Sequence, residues 1–248
     1  NPSMAYQFDF GAVFDYSGLL AQGAGFTLAL TAAGAVLGGA IGVAGGVSRA
    51  WRIAPLHWLF KVYVEGIRNT PFLVQLMFVF FGLPSLGVQI NEWQACLLTT
   101  VINLGAYITE IVRAGIQETP RGQLEAAGAL GMGRWAVFRH VVLRPALQRV
   151  WPSLSSQIVI VMLGTSVVSQ IAAQDLTFAA NFIQSRNFRA FETYLVVTAA
   201  YFVLALALRQ LLAWIGQRFV VGRRTPRAAR PAAPAAPATP AGDAAGLT

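Results

Sequence analysis

Glu110-Ile111-Val112-Arg113-Ala114-Gly115-Ile116-Gln117-Glu118-Thr119-Pro120-Arg121-Gly122-Gln123-Leu124-Glu125-Ala126-Ala127-Gly128-Ala129-Leu130-Gly131 is the stretch that decides the fold. Its first residues close an apolar run, whereas the rest is polar, arginine-bearing and built of small side chains. A bilayer core has no water to satisfy polar groups. The chain is therefore expected to leave a membrane here and present a slender surface suited to docking another protein.

The surrounding composition agrees. Of 248 residues, 56% are hydrophobic and 11% charged, against about 25% charged in soluble domains. Five apolar stretches approach the roughly 20 residues a helix needs to cross a bilayer: residues 23–47, 60–82, 93–115, 154–171 and 194–214. The second carries Pro71 inside it and a polar end of Glu65, Arg68 and Asn69. The expected fold is all-α: a polytopic membrane protein of five core helices with a surface helix between the third and fourth. Residues 1–18 form a short N-terminal segment and 19–221 the membrane domain, whose polar loop occupies about 116–150. No charged-then-apolar signal peptide precedes the first span. Residues 222–248 read as a disordered Ala/Pro/Arg tail, because repeated proline removes backbone donors and large apolar side chains are almost lacking.

The formal charge of +8 does not point to nucleic acid. Seventeen of the 18 basic residues are arginines, placed at span ends and in the tail. Fourteen basic residues flank the spans on one side (Arg49, Arg52 and Lys61, the 113–149 loop, the tail), against Arg186 and Arg189 on the other. By the positive-inside rule the N-terminus is outside and both the loop and the C-terminus are cytoplasmic. Gly34, Gly38, Gly42 and Gly46 recur every fourth residue in span one, which suits close internal helix packing better than a dimer seam.

Within the loop, Thr119 as N-cap and Pro120 in the first turn start a short helix, and Gly131 stops it. From Arg134 a second segment would place Trp135, Phe138 and Val142 on one face. Pro145 would then discourage helix at Arg144 and keep a turn.

Polar groups inside spans are costly and therefore functional candidates. Asn103, Tyr107 and Glu110 share a face of span three; Gln157, Thr165, Ser166, Ser169 and Gln170 lie on span four. They either line a translocation path or bond between helices. Glu65 with Arg68 and Glu110 with Arg113 stand three apart, spacing for ion pairs. His57 and His140 have no ligand partners at metal-site spacing. No catalytic constellation and no GxxxxGK[ST] phosphate loop is found. Cys96, in an apolar run, reads as an inert buried thiol.

Glu125-Ala126-Ala127 followed by Gly131 resembles the EAA signature of permease subunits of ATP-binding-cassette importers. Three further stretches, 65–76, 106–116 and 188–194, resemble motifs of the branch importing polar amino acids, and the likeness runs in register from about Gly18 to Arg218. It departs at Pro145, one place late, and at Leu163 and Gly164, where relatives often carry a lysine and an acidic or amide residue. The resemblance implies a type I importer permease in a bacterial inner membrane. Its implied partners are a second permease, same or related, a periplasmic substrate-binding protein, and two ATP-binding subunits that hold ATP and Mg. It makes Glu125, Ala126, Ala127, Gly128 and Gly131 the coupling helix. Asn103, Tyr107, Gln157, Thr165, Ser166 and Gln170 are then candidates for the path. A stand-alone secondary carrier or channel is the alternative; the lack of an inverted repeat weighs against it.

Overall fold

The computed structural model describes residues 7–220. The expected tail at 222–248, and the start of the N-terminal segment, lie outside the described residues. Helices follow one another with no strand among the described residues. A single turn, α1 (Gly11–Phe14), leads into α2 (Ser17–Ala50), and then come α3 (Leu56–Arg68), α4 (Phe72–Ser85) and α5 (Glu92–Gln117). The polar stretch forms α6 (Arg121–Ala129). It is followed by α7 (Arg134–Ala136), a π-helical turn (Val137–Leu143), α8 (Arg144–Gly164) and a 3-10 turn (Thr165–Ile171). The chain then forms α9 (Leu176–Asn187) and α10 (Ala190–Ile215), ending in a second π turn (Gly216–Val220).

Four continuous helical runs are long and apolar enough to span a membrane: α2, α5, Arg134–Ile171 and Ala190–Val220. The α3–α4 pair, bent by 107°, makes the fifth. That bend falls at Pro71, which has no N–H to continue the ladder. The carbonyls freed by the break are taken up by side chains. Asn69 Nδ2 donates to Glu65 O (2.7 Å), Thr70 Oγ1 to Gly66 O (3.0 Å), and Gln75 Nε2 to Ile67 O (2.7 Å). Each would otherwise cost several kcal/mol in lipid.

α5 is the central helix, about two-thirds buried, whereas the run from Ala190 to Val220 is largely exposed. Its start is fixed by a capping box, in which Asn91 Oδ1 accepts from Gln94 N (2.9 Å) and Gln94 Oε1 from Asn91 N (3.0 Å). The glycines of α2 let it approach. A Cβ at Gly46 would sit 2.7 Å from Val112, one at Gly34 2.6 Å from Thr100, and one at Gly42 would collide with Ile108. The seam is internal, as its spacing suggested. Leu104, Ile108 and Val112 continue from it into a core with Leu154, Ile158 and Val161 of α8. A second core joins Leu30, Leu76, Val168 and the fully buried Cys96.

One expectation fails between α6 and α8. Arg144-Pro145 makes no turn, because Pro145 lies in the first turn of α8 and helix runs unbroken from Arg134 to Gly164. The wider π register just before the proline loosens the ladder where its ring would meet a preceding carbonyl. Span four accordingly begins well before residue 154, and from Thr165 it tightens to 3-10 geometry. Trp135 does share a face with Phe138, their ring centroids 5.4 Å apart, although Trp135 is 70% exposed while Phe138 and Val142 are buried.

Candidate functional site

α6 hangs between the end of α5 and the start of α7. Its N-terminus differs by one residue from expectation. Pro120, in extended conformation (ψ 135°), occupies the cap position, and Arg121 is the first helical residue. Thr119 caps nothing; its hydroxyl lies 3.3 Å from Arg149 Nη2. The C-terminus ends as the glycine predicts. Gly131 takes φ +69°, Gly131 N donates to Gly128 O (2.9 Å), and Met132 N donates to Ala127 O (3.1 Å). This is a Schellman stop, and it uses two otherwise orphaned carbonyls. Glu125, Ala126, Gly128 and Gly131 are exposed, whereas Ala127 is turned inward, 3% exposed. A cavity of 520 Å³ separates Leu124 on α6 from Phe138 and Val142 behind it. α6 thus presents an outer face on which small residues, Ala126, Gly128 and Ala129, stand among longer exposed ones, and it touches its own chain lightly.

Arg149 of α8 is a residue that sequence reading did not single out. It donates to Gly115 O (3.1 Å) and Glu118 O (3.5 Å), satisfying carbonyls at the end of α5. With its contact to Thr119 it joins α8 to the entrance of α6. A second junction centres on Glu110, whose carboxylate accepts from Arg49 of α2 (2.5 Å) and from Arg113 one turn on. The expected Glu110–Arg113 pair forms. The Glu65–Arg68 pair does not, because the Arg68 guanidinium lies 5.2 Å from the centroid of the Tyr107 ring instead.

These side chains line one polar cleft of 360 Å³: Arg49, Glu65, Arg68, Asn69, Tyr107 and Glu110. Opposite the middle of α5, Asn103 Nδ2 donates to Gln75 Oε1 (3.0 Å). The structure therefore sets Tyr107 and Glu110 against α3, and Asn103 against α4. The span-four candidates sit elsewhere: Thr165 is fully buried with its hydroxyl on Met162 O (2.7 Å), and Ser166 O accepts from Ser169 Oγ (3.2 Å). Gln157 is half-buried and Gln170 exposed. His57 and His140 turn Nδ1 onto the carbonyls of Arg49 and Ala136.

At the far end of the bundle Asp175 caps α9. Its carboxylate accepts from Phe178 N (2.8 Å) and from Tyr201 Oη of α10 (3.1 Å). Burial pushes its pKa up, and the hydrogen bonds from Phe178, Tyr201 and Thr177 offset part of that rise.

A model of the family described as "Binding-protein-dependent transport system inner membrane component" matches residues 34–221. The chain belongs to that family. Among relatives, it is 35% identical to the glutamine transport system permease protein GlnP of Escherichia coli K12, over 87% of this chain and 99% of that one. It is also 35% identical to the probable glutamine ABC transporter permease protein GlnM of Bacillus subtilis 168, over 68% of this chain and 78% of that one. Among solved structures, "an amino acid ABC transporter with histidines" superposes with a TM-score of 0.78 at 35% identity, covering 86% of this chain and 100% of that one. The inward-facing MetNI methionine ABC transporter shares the fold, with a TM-score of 0.66 at 23% identity over 84% of this chain and 99% of that one.

This inner membrane component is thus a multi-pass permease subunit of an ATP-binding-cassette importer, with the type I permease fold. It is not an enzyme: ATPase activity lies in a partner subunit, and permeases of the family work with ATP-binding subunits and substrate-binding proteins. The stand-alone carrier reading gives way to it. In this permease the residues that sequence reading missed, Arg49 and Arg149, carry no motif of their own. Their roles depend on helices distant in sequence meeting in space.

Proposed function

We propose that this subunit imports a polar amino acid, with α6 as the lever through which ATP acts. ATP and Mg would be held by two ATP-binding subunits. A cleft in each would seat the exposed face of one α6, at Glu125, Ala126, Gly128 and Gly131. The N-terminus and α9 would face the periplasm and the substrate-binding protein; α6 and the C-terminus would face the cytoplasm, as the distribution of arginines supports. A second permease, identical or related, would complete the path.

The observation that carries this reading is α6 itself, a nine-residue helix with a fixed stop, an exposed face bearing small residues and little packing beneath it. Nucleotide can shift a permease only by its differential affinity for two permease states. A helix joined to α5 and, through Arg149, to α8 delivers that difference to the spans. The cleft of Glu65, Arg68, Asn69 and Tyr107 offers both charge signs and an amide group, matching a zwitterion with a polar side chain. Asn103, Gln157, Thr165, Ser166 and Gln170 would supply further contacts along the path as α8 moves.

The test is uptake in proteoliposomes by the assembled importer. Gly131→Asp, which strains the left-handed stop and adds charge to the docking face, is expected to abolish amino acid uptake with the subunit still inserted. ATP-independent uptake driven by an ion gradient would overturn the proposal.

A further inference from the structure

Arg209 stands in α10, the span that the bundle covers least. It lines a groove of 480 Å³ between α10 and α8. Ser155, Ser156 and Gln217 share the polar side of that groove, and Ile160 and Ala213 its apolar side. Trp151 forms a wall and donates Nε1 to Leu212 O (3.0 Å), packed so closely on Gly216 that no Cβ would fit. The groove is therefore built by packing rather than left between loose side chains.

Two of its groups are unmatched. The ion pairs among the described residues join Arg49 and Arg113 to Glu110, and Arg189 to Asp9 and Glu192; none takes Arg209. Ser155 Oγ is buried with no hydrogen-bond partner among the described residues. A guanidinium within a span is expensive unless it finds an anion or reaches the interface, and a buried hydroxyl without a partner costs about 1–3 kcal/mol. Beside them lies apolar surface open to lipid: Ile160 is 57% exposed, Leu206 42% and Trp214 57%.

A ligand satisfying all of this carries a negative head rich in acceptors and an apolar chain. We propose that the α8–α10 groove binds an anionic phospholipid, its phosphate on Arg209 with Ser155, Ser156 and Gln217 donating, and an acyl chain along Ile160. The guanidinium fork suits phosphate oxygens. Free phosphate would leave the apolar flank unused. A second permease would have to supply an acid; of the span acids Glu110 and Glu192 are already engaged, and Glu65 lines the cleft against α5. The site does not depend on which amino acid is carried.

Native mass spectrometry of the purified importer, titrated in detergent with phosphatidylglycerol, phosphatidylethanolamine or inorganic phosphate, tests it. Phosphatidylglycerol should bind in preference to phosphatidylethanolamine. Arg209→Gln should weaken it about tenfold, Arg209→Lys and Ser155→Ala less, and Arg52→Ala, away from the groove, not at all. If Arg209→Gln fails to assemble, the Lys and Ala variants decide by the same ordering. Undiminished binding in Arg209→Gln, Arg209→Lys and Ser155→Ala overturns the proposal. So does equal competition by inorganic phosphate, or a cross-link from Ile160→Cys to a second permease chain.

Discussion

Glu110 is the residue on which the most depends. One carboxylate holds Arg49 of α2 and Arg113 of its own helix at the α6 end of the bundle. Glu110→Gln keeps the shape and removes the charge, leaving Arg49, 12% exposed, without its counterion. Breaking a largely buried pair from one side costs on the order of 2–4 kcal/mol. The expected outcome is a clear drop in the thermal unfolding midpoint of the assembled importer; an unchanged midpoint would sink this reading. Half of this junction was readable in the sequence. The spacing of Glu110 and Arg113 announces a pair, but Arg49, 61 positions earlier, enters only through the α2–α5 packing. Glu65 and Arg68 carry the same spacing, yet Arg68 turns to Tyr107. Spacing permits a pair, and competing partners decide whether it forms.

At the scale of elements, the glycine seam of α2 and the stop of α6 were both legible, because each rests on local chemistry. Gly131 predicts its own left-handed φ, and Gly131→Ala is expected to cost about 1–2 kcal/mol locally, seen as faster amide exchange in α6. In the seam, Gly42→Leu would drive a side chain into Ile108; overpacking of this kind costs about 1–3 kcal/mol and should lower the yield of folded subunit. The expected turn at Arg144 failed for a physical reason, since a proline in the first turn of a helix is tolerated and the π turn ahead of it absorbs the misfit. The cap of α9 makes a prediction in pH. Burial raises the Asp175 pKa in the fold, so the folded state binds the proton more tightly than the unfolded chain. Its contribution is greatest below the ordinary carboxylate range and declines as pH rises through it toward the raised value. Unfolding midpoints should therefore fall with rising pH less steeply in Asp175→Asn, which retains a capping side chain; parallel profiles would contradict this.

Over the whole molecule, α5 is one of five spans and packs against α2, α3, α4 and α8, and α6 is the short helix offered for a partner to push. Force applied to α6 reaches α5 directly and α8 through Arg149. Arg149→Ala should leave the basal ATPase of the assembled importer intact while lowering uptake per ATP hydrolysed. The architecture was foreseeable from the apolar stretches and the EAA likeness. The polar cleft was foreseeable only in part, since it needs the 107° bend that brings α3 against Tyr107. The central claim is that α6 seats in an ATP-binding subunit, and its most direct test is a cross-link. With Ala126→Cys in the intact importer, a short bifunctional thiol reagent should join the permease to its ATP-binding subunit, and assembly should shield that thiol from a water-soluble maleimide. Free labelling of the assembled importer, with no cross-linked product, would contradict the account.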